Sequence, residues 1–213
     1  MRIMFLSVIK EKLIKAERKH FINNNRRRLK NKTPSIISST CNGGVIYSDL
    51  GLQFRSPTVN LWLEPKDFLI MCKDLKKYLN GPLRQKKSDL NYPVGTIYDI
   101  TIYFQHYSNF DEAKMKWEER AKRVDYENLY VIMTDRDGCS ESDICEFENL
   151  PIKNKVLFTH VNYPQYKHCC YIKGFEKDKQ VGILSYYKTG NLIRRYIDDF
   201  DYVGFLNGGI RNQ

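Results

Sequence analysis

A chain of 213 residues with 42% hydrophobic and 28% charged residues is one medium globular domain, or one domain with an appendage. Its apolar runs fall far short of the roughly 20 residues that span a bilayer, which excludes a transmembrane protein. The formal net charge of +10 is concentrated at one end: residues 1–32 hold 11 Lys/Arg against 2 Asp/Glu, and the other 181 hold 24 against 23. A nearly neutral body with a basic arm argues against a nucleic-acid reader, which needs a basic face.

The opening "MRIMFLSVIKEK" has a short apolar patch with charges at Lys10, Glu11 and Lys12 and no small-residue cleavage site, so a signal peptide is not expected. Phe5, Val8, Ile9, Leu13 and Ala16 recur at helical spacing, and "NNNRRRLKNK" then breaks the pattern. Three readings stand for residues 1–32: an amphipathic helix on an anionic membrane surface, a first helix packed on the domain and followed by a solvated basic linker, or, third, a nucleic-acid arm. The six cysteines form no C-x-x-C pair and read as reduced cytosolic thiols, mostly small core residues. His168, Cys169 and Cys170 lack zinc-site spacing.

From residue 33 a single α/β domain is expected. "PSIISST" reads as a strand, "CNGG" as a turn and "VIYSDLGLQ" as a turn or two of helix; "PTVNLWL" reads as a strand. Pro65 opens a helix carrying Phe68, Leu69, Cys72, Leu75 and Leu79, stopped by Gly81. "TIYDITIYFQ" reads as one strand. Asn109 caps a helix striped by Phe110, Ala113, Trp117, Ala121 and Val124. "NLYVIMT" is a strand, Ser140 with Asp143 forms a capping box, and "NKVLFTH" is a further strand. Short β or turn segments follow, around one basic helix near Thr189 to Tyr196.

Strands alternating with helices, several of them continuously apolar, predict a three-layer α/β/α fold around a mainly parallel or mixed sheet, with a basic N-terminal helix. Ligands of such sheets bind beyond the carboxyl ends of the strands. Four polar groups are expected there: Cys41, Asn42, Gly43 and Gly44; His106, Tyr107, Ser108 and Asn109; Asp135, Arg136, Asp137 and Gly138; and His160. Gly43 and Gly44 suit either a tight turn or an anion at a helix amino end. Asp135 and Asp137 suit either a strand end or a divalent cation, Mg or Mn, on a diphosphate; Arg136 between them suits an ion pair that withdraws one. His106, Asp137 and His160 are the candidate catalytic groups, since imidazole titrates near neutrality. Trp62, Phe54 and Tyr92 suit either the core or stacking on a sugar.

The strings "CNGGVIYSDLGLQFRSPTVNLWLEPKDF", "IYFQHYSNFDEAKMKWEERAKRV" and "DRDGCSESDICEFENLPIKNKVLFTH" resemble a bacterial family labelled a domain of unknown function and loosely called exopolysaccharide biosynthesis protein. The resemblance implies a single α/β domain and transfer of a sugar or acyl group during surface-glycan assembly, from a nucleotide-activated donor. A non-catalytic carbohydrate- or nucleotide-binding accessory uses the same edge without a base. Both place the protein in the cytoplasm, the first with a peripheral contact at the inner membrane face.

Overall fold

The structure is a computed structural model that describes residues 2–208, with side chains from residue 12 onward. Its elements run α1 (Arg2–Arg28), β1 (Ser35–Ser38), α2 (Asn42–Leu50), α3 (Pro65–Lys73), α4 (Leu75–Leu79), β2 (Arg84–Lys86), β3 (Val94–Ile97), β4 (Ile100–Tyr103) and α5 (Phe110–Ala121). They continue through β5 (Leu129–Thr134), α6 (Glu141–Glu148), β6 (Lys155–Thr159), β7 (Cys169–Tyr171), β8 (Tyr187–Lys188), β9 (Asn191–Arg195), a 3₁₀ turn (Tyr196–Asp199) and α7 (Tyr202–Leu206).

The apolar runs β1, β5 and β6 lie side by side with β7, all parallel, in the order β1-β5-β6-β7. Successive side chains of a strand point to opposite faces, and the core divides accordingly. Ile37, Val131, Met133 and Leu157 pack with Phe68, Trp117, Ile144 and Phe147 from α3, α5 and α6. Ile36, Tyr130, Ile132 and Phe158 pack with Tyr47 of α2, Leu29 and Phe205 of α7. Two cores on two faces make the three-layer α/β/α fold. They also explain why these strands show no polar alternation: neither face meets water.

Among the described residues the outer edge of β1 has no neighbouring strand. Side-chain hydroxyls take its main-chain donors instead: Tyr47 Oη accepts from the Ile36 N–H at 2.8 Å and Thr58 Oγ1 from the Ser38 N–H at 2.9 Å. The segment 57–63, "PTVNLWL", expected as a strand, is instead an irregular cover on this edge. It makes one isolated bridge, between Trp62 and Tyr103, whose rings stack at 4.0 Å.

Other expectations are corrected. "TIYDITIYFQ" is two strands, because Tyr98 turns the chain at φ 51°, and β2-β3-β4 form a separate antiparallel sheet. The helix begun at Pro65 breaks at Asp74, which caps α4 by accepting from the Lys77 N–H at 3.1 Å. The basic run near Thr189 is the ribbon β8-β9 and not a helix, and "DYVGFLNGG" contributes α7. The capping residues of α5 and α6 sit where expected: Asn109 accepts from the Glu112 N–H at 2.9 Å, and Ser140 with Asp143 closes a capping box.

The first helix runs through the "NNNRRR" segment without a break. The stripe expected on it falls partly outside the described side chains (Phe5, Val8, Ile9), and Leu13 is 59% exposed. The face that packs is a turn further on: Arg18 and Asn25 on the helix, and Leu29 just beyond it, are buried. Arg18 Nη2 meets Asp49 at 2.7 Å and its Nη1 meets Asp198; Asn25 donates to Tyr202 Oη at 2.9 Å. Burial of the guanidinium lowers its pKa, but the two carboxylates outweigh this and raise it above its ordinary value. Among the described residues no helix is long and apolar enough to cross a membrane.

Candidate functional site at the carboxyl edge of the sheet

Parallel pairing fixes which loops share an edge. The residues after β1, β5 and β6 leave the sheet at the same end, about 5 Å apart from strand to strand. Cys41–Gly44, Asp135–Cys139 and His160 therefore form one rim.

The centre of the rim is a fixed pair. Asp135 is 4% exposed. Its Oδ2 accepts the main-chain N–H of His160 at 2.7 Å and lies 2.5 Å from Nδ1 of the same ring. Its Oδ1 accepts the Val181 N–H at 2.8 Å. We assign the ring proton to Nδ1, because a carboxylate accepts but cannot donate, and this leaves the Nε2 lone pair free. The His160 side chain is 18% exposed, so the ring is held yet reachable.

Asp137 stands apart from this pair. It is exposed, with φ 60°, and Gly138 follows at φ 86°. Two consecutive left-handed residues give a sharp turn after β5, of a kind that gathers at functional loops. The Asp137 N–H donates to Gln180 Oε1 at 2.8 Å, and Arg136 Nε lies 3.9 Å from Asp137 Oδ2. Asp135 and Asp137 thus do not offer two free carboxylates to one cation, since both oxygens of Asp135 already hold N–H donors. Among the described residues no group of three or more His, Cys, Asp or Glu side chains is placed to hold a metal.

At the β1 end, α2 begins without a side-chain cap. The amides of its first turn are the donors that a helix cannot satisfy internally. Ser38 and Ser39 are buried beside it, and neither hydroxyl has a hydrogen-bond partner among the described residues. Gly43 permits this approach: a Cβ there would lie 3.0 Å from Ser38 Cβ and 3.3 Å from Ile36 Cγ2. Gly43 therefore has a packing role whatever the turn binds. Burial pushes the Cys41 thiol above its usual value, and the nearby Arg136 charge offsets this only in part.

The group after β4 arrives from the antiparallel sheet. Tyr107 is buried and reaches the β1 side, where its hydroxyl donates to the Val59 carbonyl at 3.0 Å and accepts from Arg120 Nη1 at 2.7 Å. Burial raises its pKa, which Arg120 opposes. His106 is exposed and makes no hydrogen bond among the described residues. Ser108 and Asn109 serve the first turn of α5, through Glu112. Cys41–Gly44, Asp135–Asp137 and His160 thus follow strands that end at one edge, Tyr107 reaches β1 from the flank, Ser108 and Asn109 are engaged with Glu112 of α5, and His106 is exposed.

Sequence reasoning missed Gln180 and Val181, which close the rim from a segment with no periodic signal. It also missed Arg120, a buried cation lying 5.1 Å from the Phe54 ring centroid, with no carboxylate within ion-pair distance among the described residues. Its position three residues after Trp117 on the apolar stripe of α5 is the signal that marks it.

Comparison with known proteins covers nearly the whole fold. The family model described as "Domain of unknown function (DUF1919)" matches residues 12–207. An "Uncharacterized protein" of Haemophilus influenzae (strain ATCC 51907 / DSM 11121 / KW20 / Rd) is 44% identical over 195 residues, covering 91% of this chain and 94% of that protein. The matched span begins inside α1, so the packed part of that helix lies within the family unit.

Proposed function

Because the chain belongs to the DUF1919 family, its chemistry is read from its own rim, and we propose that it transfers a group from a phosphate-activated donor to an acceptor hydroxyl. The observation that carries this is the Asp135–His160 pair at the carboxyl end of a parallel sheet. A carboxylate that fixes Nδ1–H leaves Nε2 as a general base, an arrangement used to activate hydroxyl groups. In this reading the acceptor O–H proton moves to Nε2 and the acceptor oxygen bonds to the donor carbon. The donor's carbon–phosphate oxygen bond breaks, and the phosphate stays at the β1 end, two strand spacings or about 10 Å from His160. The uncapped start of α2 and the Arg136 guanidinium would hold it there. The base is assigned to His160 in preference to His106, which has no orienting partner. No step uses a metal ion.

A nucleotide-activated sugar is the donor that this reading favours. Surface-glycan assembly as its setting rests on the family resemblance alone. The exposed side chains of Lys12, Lys19 and Leu13 on α1 support a peripheral contact with an anionic membrane surface, where such acceptors lie.

Calorimetry with UDP-glucose and with inorganic diphosphate tests the binding half; release of UDP in the presence of hydroxyl acceptors tests the chemistry. Binding that Arg136→Gln weakens, together with turnover that His160→Gln abolishes, supports the proposal. Binding with no turnover by any acceptor identifies a non-catalytic binding module. Absence of binding by either probe overturns the reading.

A further inference from the structure

Eight large hydrophobic side chains are exposed among the described residues, and four of them, Ile183, Tyr186, Tyr187 and Leu192, fall within ten consecutive positions. Tyr186 is 63% and Leu192 53% exposed. They belong to the antiparallel ribbon β8-β9 and its approach, where Tyr187 pairs with Arg195 and Lys188 with Asn191. The turn of the ribbon stands clear of the body: Gly190 has φ 76°, and a Cβ there would meet nothing within 4 Å. The base is fixed. Leu184 and Ile197 are buried in the core around Tyr47 and Phe158. The Ile197 N–H donates to the Leu184 carbonyl at 2.9 Å, and the Tyr196 N–H to the Tyr186 carbonyl at 3.1 Å. An exposed hydrophobic residue is ordinary when it stands alone, whereas several together on an anchored hairpin mark an interaction surface.

The charge around this surface says what covers it. Residues 183–195 contain Lys188, Arg194 and Arg195 and no Asp or Glu. Lys188 meets Asp199 at 2.6 Å and Arg195 meets Asp49 at 3.2 Å. Arg194 lies 4.0 Å from the Phe21 ring centroid of α1, with no carboxylate in ion-pair distance among the described residues. The ribbon is tied to α1 again by Arg18 Nη1, which donates to the Ile193 carbonyl at 3.2 Å. Exposed Lys12, Leu13 and Lys19 lie on that same helix. A second copy of this chain is a poor occupant, because a two-fold contact sets each basic patch against itself and the whole chain carries +10. An anionic bilayer takes up apolar side chains and attracts cations together, and tyrosine suits its headgroup boundary, with the ring in and the hydroxyl wet.

We propose that the β8-β9 ribbon is a membrane-docking hairpin, which lays Tyr186, Tyr187 and Leu192 into the headgroup boundary of an anionic bilayer beside α1. The proposal rests on the membrane contact read for α1 and gives it a second, apolar foothold; it is independent of the chemistry at the rim.

The test sediments the full chain with vesicles of equal parts phosphatidylglycerol and phosphatidylcholine. Tyr186→Ser combined with Leu192→Ser changes two exposed side chains and should leave the unfolding temperature unchanged. Its binding should be roughly 10- to 100-fold weaker than that of the wild type. Leu192→Trp keeps an apolar side chain and adds a reporter, whose emission should move to shorter wavelength on these vesicles and not on phosphatidylcholine alone. Full binding by the double variant, or no spectral shift from Leu192→Trp, overturns the hairpin. A third full-length variant, Lys12→Gln with Leu13→Ser and Lys19→Gln, isolates the helix: if it binds weakly while the ribbon variant binds fully, the α1 contact stands without the hairpin. Weak binding by the ribbon variant alone supports the hairpin and rejects the α1 contact. Absence of vesicle binding by the full chain overturns both. A vesicle-free dimer that the ribbon variant abolishes assigns the surface to a second copy and overturns the proposal.

Discussion

Asp135 receives the main-chain N–H and the ring Nδ1 of a single residue, His160, on one carboxylate oxygen, at 2.7 and 2.5 Å. Its other oxygen is held by the Val181 N–H. Every contact is a donor pointing at an acceptor. Asp135→Asn keeps the shape but turns one oxygen into a donor, which must then face an N–H. One unsatisfied buried group costs about 1–3 kcal/mol. The unfolding temperature should fall by roughly 2–12 °C, read by calorimetry. An unchanged midpoint would mean that the carboxylate is not the acceptor described.

The two histidines of the edge should separate cleanly. His106→Ala removes an exposed side chain with no hydrogen bond and should change stability by less than about 0.5 kcal/mol. It should also leave turnover with a nucleotide-sugar unaltered. His160→Gln should keep diphosphate affinity and lower turnover by roughly 10²–10⁴-fold, the usual contribution of a positioned base. Steady-state kinetics on the two variants side by side checks this, and a loss confined to the His106 variant would reverse the assignment.

Gly43 should resist substitution for a steric reason. A methyl group there meets Ser38 Cβ at 3.0 Å. Gly43→Ala is expected to cost about 1–3 kcal/mol, as overpacking of a tight core does. Adding Ser38→Gly removes the obstructing atom and should recover much of that loss. Denaturant melts of the single and double variants decide it: a single variant as stable as wild type would show that β1 and α2 are less closely apposed.

The thiols should react in an order set by burial. Cys139 and Cys169 are pushed up to about 12, first by burial and then by nearby acidic charge. Four pH units below that value, only about one thiol in ten thousand is ionised, and the fraction rises tenfold per unit of pH. Iodoacetamide at pH 8 should therefore label exposed Cys145 first, with Cys139 and Cys169 following only as the pH approaches 11. Peptide mapping by mass spectrometry reads the order, and early labelling of Cys139 would show an activated thiolate.

The first helix should divide functionally between residues 13 and 18. Deleting residues 1–13 spares Arg18, Asn25 and Leu29, so the domain should melt as the full chain does while losing part of its affinity for anionic vesicles, because Lys12 and Leu13 are removed and Lys19 stays. Deleting residues 1–28 leaves Asp49 and Asp198 buried without Arg18 and should destabilise the domain by about 3–5 kcal/mol. Vesicle sedimentation and thermal melts of both truncations check the two halves separately.

How far the fold could be read depended on where each signal lay. β1, β5 and β6 announced themselves because strands covered on both faces are apolar throughout. The caps at Asn109 and Ser140 were legible because capping is a local hydrogen bond over three residues. The β3-β4 hairpin was hidden because its turn, at Tyr98–Asp99, contains neither Gly nor Pro. β9 was hidden because a two-stranded ribbon needs no apolar alternation, and its arginines look helical. At the site, the shared edge of residues 41–44, 135 and 160 followed from strand direction. The Asp135–His160 bond did not, because it joins residues 25 apart across a strand pair. The closing contact from Val181 comes from a segment with no regular structure at all, so nothing in its sequence pattern pointed to the rim.

The hydroxyls of Tyr47 and Thr58 on the margin of β1 bear on how copies of this chain can meet. A margin whose amides already have internal acceptors is a poor template for a foreign strand. Self-association by sheet extension is thereby steered to the far side, along Cys169–Tyr171, where three residues give a short and weak zipper. Tyr47 and Thr58 in this sense guard one margin of the parallel sheet against the addition of a foreign strand.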